Sequence, residues 1–401
     1  MLRIPIWQVV FLSAILAWIV FSCYFKVTQK LRSLTQPWVT QRVIAETPLV
    51  LRIQSFQHRF LDTLFTALSC LVSVPFYTAF LPLLFWSGHC KFARQMTLLM
   101  ALCDYVGNSI KDAVSAPRPN SPPVRRVTAT KDERENALEY GLPSAHTLHT
   151  VCLAGYLLHY VLKSANITEA TQVLMGVTMA CLLVGLIALG RIYLGMHSAV
   201  DVLAGLVIGL VILPFWLKVH EYVDSFIISG QNVAYFWATF SILLLFAYPT
   251  PEHPTPSFEY HTAFNGVVLG FVTGIQKTYL QFHHEDIPHI FSPQLSFTAF
   301  VTKVLVGIPT ILVVKFCWKS LAKWILPVVA NTLGIPIRSS CYIPQLKSFV
   351  SDKDPDGNQK MFLFFSQDSF DVDTGIRLVQ YAGLAWSVCD PIPSVFAYLG
   401  L

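Results

Sequence analysis

The chain has 401 residues, of which 54% are hydrophobic and only 13% charged, with formal net charge +5 and a mean hydropathy of +0.54. Soluble domains carry about 25% charged residues, so this composition excludes an ordinary soluble enzyme. The weak positive balance resides in loops, which suits membrane surface and phosphate headgroups and gives no nucleic-acid footprint.

Apolar runs are expected to cross the bilayer at about 7–25, 63–87, 95–110, 147–162, 172–190, 198–217, 233–250, 261–280, 299–318 and 376–398. The resulting fold class is all-α, a polytopic transmembrane helical bundle, because helices satisfy their own backbone groups in lipid. The first run, Trp7 to Phe25, is too long for a cleaved signal and reads as a signal anchor. Asp104 and Asn108 interrupt the third run, and Lys323 and Pro327 break 319–335, which is expected to form a re-entrant or interfacial element. Gly205 and Gly209, four residues apart, predict close packing of the 198–217 helix on a neighbour. The expected organisation is an anchor with an interfacial segment over 1–62, a catalytic core over 63–220 and a C-terminal transmembrane region over 221–401.

The nine cysteines are scattered, without a CxxC pair or zinc spacing, and are expected to act as small hydrophobes. The C-terminus, Tyr398-Leu399-Gly400-Leu401, carries no KDEL-type signal. His283-His284-Glu285 with His289, or Glu252, His253 and His261, could be drafted as metal ligands, but none has the HExxH spacing. Interfacial histidines are the expected reading, with no metal and no cofactor.

Three blocks carry chemistry. Lys111 and Arg118 are spaced two helical turns apart, which on a helix would put both cations on one side, and Pro117 and Pro119 stiffen the chain around Arg118. Arginine offers a planar fork for two phosphate oxygens and lysine a point charge. Pro143-Ser144-Ala145-His146 precedes an apolar run. Ser144 is therefore an expected helix N-cap, with the amides of Ala145 and His146 free for an anion. His197 and Asp201, at i and i+4, would be neighbours on a helix, the carboxylate orienting the imidazole as a nucleophile. Arg191 adds a third cation, and a carboxylate opening an apolar span is a functional hypothesis by default. The Pro-rich, charged segment 120–139 reads as a solvated connector or a cover over the site.

The ordered pattern K-x6-RP, PSxH, R-x5-H-x3-D resembles the type 2 phosphatidic acid phosphatase and vanadium haloperoxidase superfamily, with Ala145 and Gly190 in place of the usual glycine and serine. Further stretches, Pro251-Glu252-His253-Pro254-Thr255-Pro256 and Asp373-Thr374-Gly375-Ile376-Arg377 through Ala385-Trp386, look like the sphingosine-1-phosphate phosphatases. Nearly the whole chain resembles that family's plant branch, the long-chain base-1-phosphate phosphatases. The resemblance implies a metal-independent hydrolase of sphingoid base phosphates in the endoplasmic reticulum membrane. His197 would be the nucleophile, His146 the general acid and base, Asp201 its orienting partner. Lys111, Arg118, Ser144, Ala145 and Arg191 would hold the phosphate. A broader phosphatase acting on phosphatidate or prenyl diphosphates, a glucose-6-phosphatase-like enzyme, and a non-catalytic lipid-phosphate carrier are the alternatives; two imidazoles speak against the carrier. Counting lysine and arginine, the face carrying the three blocks is the richer one, which by the positive-inside rule is cytosolic; the resemblance implies a lumenal site, and that is the expectation adopted.

Overall fold

A computed structural model describes residues 4–128, 131–284, 290, 296–339 and 370–401. Among these the regular secondary structure is helical except for two-residue parallel strands, β1 (Ile337–Arg338) and β2 (Phe370–Asp371). It divides into two compact units, one of residues 26–226 with 248–261, the other of 1–25, 227–247 and 262–401.

The first unit holds α2 (Val27–Gln54), α3 (Arg59–Ser69), α4 (Val74–Trp86), α5 (Cys90–Val114), the short α6 (Lys131–Asn136), α7 (Ala145–Ser164), α8 (Ala170–Tyr193) and most of α9 (Ala199–Ser229). Helices α5 and α7 run antiparallel, since Gln95 meets Tyr156 at one end and Gly107 faces Leu148 nearer the other. Helices α7 and α9 run parallel, with Gly205 against Ser144 and Thr147, Gly209 against Val151, and Gly155 against Leu213. The predicted small-residue packing is therefore present. A Cβ on Gly205 would lie 2.5 Å from the Ser144 carbonyl oxygen, so backbone rather than a pliable side chain would have to yield. This alternation brings the C-terminal ends of α5 and α8 and the N-terminal ends of α7 and α9 to one mouth. At the opposite end a buried Arg94–Asp224 pair joins α5 to α9, with Nε–Oδ1 at 2.7 Å and Nη2–Oδ2 at 2.8 Å.

The second unit contains α1 (Ile6–Tyr24), α10 (Val233–Ala247), the rest of α11 (Ser257–Thr278), α12 (Phe297–Thr332), α13 (Val372–Cys389) and α14 (Pro391–Tyr398). Helix α1 lies along α10, where Gln8 donates to the Gln231 carbonyl at 2.7 Å. Helix α12 lies along α13, and Gly270 of α11 packs against Ala382 of α13.

Among the described residues four helices, α1, α8, α9 and α12, are long and apolar enough to cross a membrane. The α3–α4 pair, bent by 54°, makes a fifth if it forms one broken span. The expected span list needs correction in three places. Residues 319–332 are no re-entrant element but continue α12 through Pro309 and Pro327. The last run splits at Asp390 into α13 and α14, and α9 extends to Ser229. Helices α5 and α7 are less apolar because they carry polar side chains inward, including Asp104, Asn108, Lys111, His146 and His149, all buried. Of the eight cysteines described, four are buried and four exposed on the protein surface, and Cys341 lies outside the described residues.

Gly205→Ala is expected to destabilise the protein by about 1–3 kcal/mol through overpacking and to lower activity by pushing Ser144 out of place. Thermal unfolding in detergent, with activity measured per folded molecule, checks both effects.

Candidate active site

The three blocks converge at the mouth of the first unit. Helix α5 ends at Val114 because Ser115 adopts a left-handed conformation, φ 53°. Arg118 is thus not helical, and the two cations meet by a different route from the expected shared helix face. The chain turns back, and both reach the carboxylate of Glu139. Lys111 Nζ donates to Glu139 Oε2, Arg118 Nη2 lies 3.6 Å from the same oxygen, and Arg118 Nε donates to the Glu139 carbonyl at 2.8 Å. Burial pulls the Arg118 pKa down to about 10, with Glu139 and Asp201 opposing, which leaves the guanidinium charged at neutral pH.

The second block opens α7. Ser144 is the N-cap of α7, and its side chain caps no helix amide. Its hydroxyl accepts from Thr147 Oγ1 at 3.1 Å, and its N–H donates to the Asp201 carbonyl at 2.9 Å, tying α7 to α9. The amides of Ala145 and His146 open the helix, where the partial positive charge favours an anion.

In the third block Gly195, φ 70°, permits a tight turn after α8; a Cβ there would lie 2.3 Å from the Arg125 carbonyl. The turn returns the chain so that the His197 N–H donates to the Arg191 carbonyl at 3.3 Å. His197 therefore precedes α9 rather than riding on it, which corrects the helical-neighbour expectation. Its Nδ1 still lies 3.6 Å from Asp201 Oδ2, an ion-pair distance longer than a hydrogen bond. Asp201 Oδ2 meanwhile accepts from the Ser198 N–H at 2.9 Å. On the other side of the ring, Arg118 Nη1 lies 3.0 Å from His197 Nε2 and donates to the Met196 carbonyl at 2.5 Å. A guanidinium can only donate, so Nε2 is the accepting, unprotonated nitrogen of a neutral imidazole. Burial holds the His197 pKa well below the ordinary 6.5, and Arg118, Arg191, Lys111 and His146 push it the same way.

Arg191 is 1% exposed; its Nη1 donates to Ser69 Oγ at 3.2 Å, and its Nε has no partner among the described residues. Gly190 has a reason beyond the loss of one hydroxyl: a Cβ there would lie 2.7 Å from the Phe65 ring.

Two features escaped the sequence reading. One is Glu139, 8% exposed, in a charged segment whose composition predicts a solvated connector or cover. Its signal was position, five residues ahead of Ser144 and just past the charge run. The other is how the 251–256 stretch acts. Tyr248 and Thr255 donate to the Asp112 carboxylate at 2.7 and 3.0 Å, and the His253 N–H donates to Tyr140 Oη at 2.8 Å. These bonds brace the residues next to Lys111 and Glu139. His261 stacks on Tyr248 and tilts against Tyr105, and no group of three or more candidate metal ligands occurs among the described residues, Glu285 and His289 lying outside them.

What has been assembled is a buried set of three cations, a helix N-terminus and two imidazoles, one of them with a carboxylate at ion-pair distance. Residues 92–225 match the PAP2 superfamily. The chain is 63% identical to lipid phosphate phosphatase delta of Arabidopsis thaliana, over 98% of this chain and 97% of that one. It is 28% identical to a dihydrosphingosine 1-phosphate phosphatase of Schizosaccharomyces pombe, over 92% of this chain and 90% of the relative. With sphingosine-1-phosphate phosphatase 2 of Homo sapiens the identity is 28% over 60% of each. No solved structure matches the chain. The chain belongs to the PAP2 superfamily as a multi-pass membrane lipid phosphatase, a phosphoric monoester hydrolase.

Proposed function

We propose that this enzyme dephosphorylates sphingoid long-chain base 1-phosphates through a phosphohistidine intermediate. The observation that carries the mechanism is the placing of His197 between Asp201 on Nδ1 and Arg118 on Nε2. Relatives named for sphingoid phosphates, one aligned over 92% of the chain and another over 60%, support the substrate class.

In the first step His197 Nε2 forms a bond to phosphorus as the P–O bond to the lipid breaks, and protonated His146 gives its proton to the departing alkoxide. Lys111, Arg118, Arg191, the Ser144 hydroxyl and the amides of Ala145 and His146 hold the three equatorial oxygens, where transition-state charge accumulates. Asp201 keeps the Nδ1 proton in place and stabilises the imidazole as it becomes cationic. In the second step His146, now neutral, takes a proton from water, the water oxygen bonds to phosphorus, and the P–N bond breaks to release phosphate and neutral His197. No metal enters this scheme; the fixed cations and amides neutralise the oxygens. The endoplasmic reticulum, with the site on its lumenal face, is the proposed location.

His197→Ala is expected to abolish turnover and any acid-labile phosphoenzyme. His146→Ala loses turnover of natural lipids yet still forms phosphoenzyme from a substrate with a good leaving group; near-normal turnover in His197→Ala sinks the mechanism. Excess chelator leaves activity largely intact and vanadate inhibits, as phosphate release from purified protein shows; collapse with chelator and recovery with a divalent ion would exclude the scheme.

The pH dependence follows from the lowered His197 pKa. The nucleophile is competent when neutral, which holds above its folded pKa, so its loss gives an acid limb at a value well below 6.5, while the need for protonated His146 adds an alkaline limb and makes the profile bell-shaped. The acid limb of kcat/KM, which reports the free enzyme, is expected below that value; an acid limb at or above 6.5 contradicts the neutral-histidine assignment.

Asn166, exposed in the turn between α7 and α8, heads an Asn-Ile-Thr sequon at the end of α7 opposite the site. With a lumenal site Asn166 faces the cytosol and carries no sugar. A glycan there would overturn the lumenal assignment, and a tag in the 120–139 loop is expected to stay hidden when only the plasma membrane is permeabilised.

A further inference from the structure

Glu139 presents a problem for phosphate binding. Its carboxylate sits on the two cations, Lys111 and Arg118, that the phosphoryl group needs, and it is buried with them. A phosphate entering this site must displace the carboxylate from the cations, and the displaced anion then stands beside a second anion in a place with little water to screen them. Glu139 has little room to leave. Its own carbonyl is held by Arg118 Nε at 2.8 Å, the neighbouring Tyr140 Oη accepts from the His253 N–H at 2.8 Å, and the Gly141 N–H donates to the Ala116 carbonyl at 2.9 Å. The carboxylate can pivot about its side chain, but its backbone stays beside the phosphoryl site.

A sphingoid base phosphate brings its own remedy, because its ammonium is on the carbon next to the one bearing the phosphate ester. Phosphatidate and lysophosphatidate carry neutral ester or hydroxyl oxygen there. We infer that Glu139 is the specificity-determining residue of this enzyme: released from Lys111 and Arg118 by the incoming phosphate, it pairs with the substrate ammonium and penalises lipid phosphates that lack one. This rests on the sphingoid reading above. The carboxylate thus exchanges one cationic partner for another, and both charges of a zwitterionic headgroup are matched. A lipid without the amine leaves a buried carboxylate next to a phosphate, which is selection by repulsion as much as by attraction.

The test compares sphinganine 1-phosphate with its analogue bearing hydroxyl in place of the amine, in detergent micelles with the full chain. Wild type is expected to favour the amine at least about tenfold in kcat/KM. Glu139→Gln should collapse that ratio by losing rate on the amine and gaining it on the hydroxyl compound, and Glu139→Asp should restore part of it. Equal losses on both substrates in Glu139→Gln would overturn the inference, making the carboxylate a support for Lys111 and Arg118 only. So would collapse of the ratio in Asp104→Asn but not in Glu139→Gln; Asp104 lies two turns below Lys111, with Oδ2 lacking a partner among the described residues. A second measurement needs no variant: ethanolamine phosphate should inhibit wild type more tightly than propyl phosphate, and equal inhibition overturns the inference. If wild type hydrolyses phosphatidate but neither sphingoid compound, the substrate reading of the preceding section fails instead.

Discussion

Everything at this site follows from the cost of keeping cations out of water. Lys111, Arg118 and Arg191 are each less than a tenth exposed, and a buried charge without a partner costs several kcal/mol. The fold must therefore supply these cations with partners of its own. Glu139 meets that demand for two of the three cations, and Ser69 offers the third a hydroxyl. In the proposed mechanism Glu139 stands roughly where substrate oxygens belong, so that binding becomes an exchange of anions. Such an exchange favours ligands that bring a good substitute partner for the anion they displace.

The fold supplies the meeting place through simple alternation. Helices α5 and α8 deliver their C-terminal ends, and α7 and α9 their N-terminal ends, to the same mouth. The helix N-termini offer amides to an anion, while the C-termini, with partial negative charge, carry Lys111 and Arg191, the signs that the helix dipole prefers in each place. Close approach of α7 and α9, made possible by Gly205 and Gly209, lets the Ser144 N–H reach the Asp201 carbonyl. The turns that carry Ser144 and His197 are thereby fastened to each other, and the geometry does not depend on loop order alone.

The helical architecture, the convergence of the three blocks, the Ser144 N-cap and the α7–α9 packing were legible in the sequence because each has a local code: apolar run length, motif spacing, a cap residue, a four-residue glycine period. What was not legible depends on chain reversal. Helical periodicity put Lys111 and Arg118 on one face, but Ser115 in the left-handed region ends the helix between them. The same logic put His197 on α9, whereas it sits in the turn before it, aimed by the Gly195 reversal. Glu139 was hidden because a charged Pro-rich segment ordinarily lies in solvent; only its contact with two cations distant in sequence marks it. The continuity of α12 was missed for a related reason, since Lys323 and Pro327 suggest a break that neighbouring helix packing tolerates.

The two departures from the motif pattern now have separate physical accounts. Ala145 retains its backbone amide at the start of α7, so a methyl group is added without loss of a donor. Gly190 is different, for it is the packing of Phe65 against α8 that leaves no room for a side chain. Phe65 also packs with Tyr193, whose hydroxyl donates to Asp62 at 2.8 Å, and Asp62 in turn receives both terminal nitrogens of Arg125 at 3.0 and 2.7 Å. The Arg125 carbonyl is the group that crowds Gly195. The absence of a side chain beside Arg191 thus admits an aromatic and ionic clasp that fixes the turn between Arg191 and His197, and in the proposed mechanism this turn aims the nucleophile.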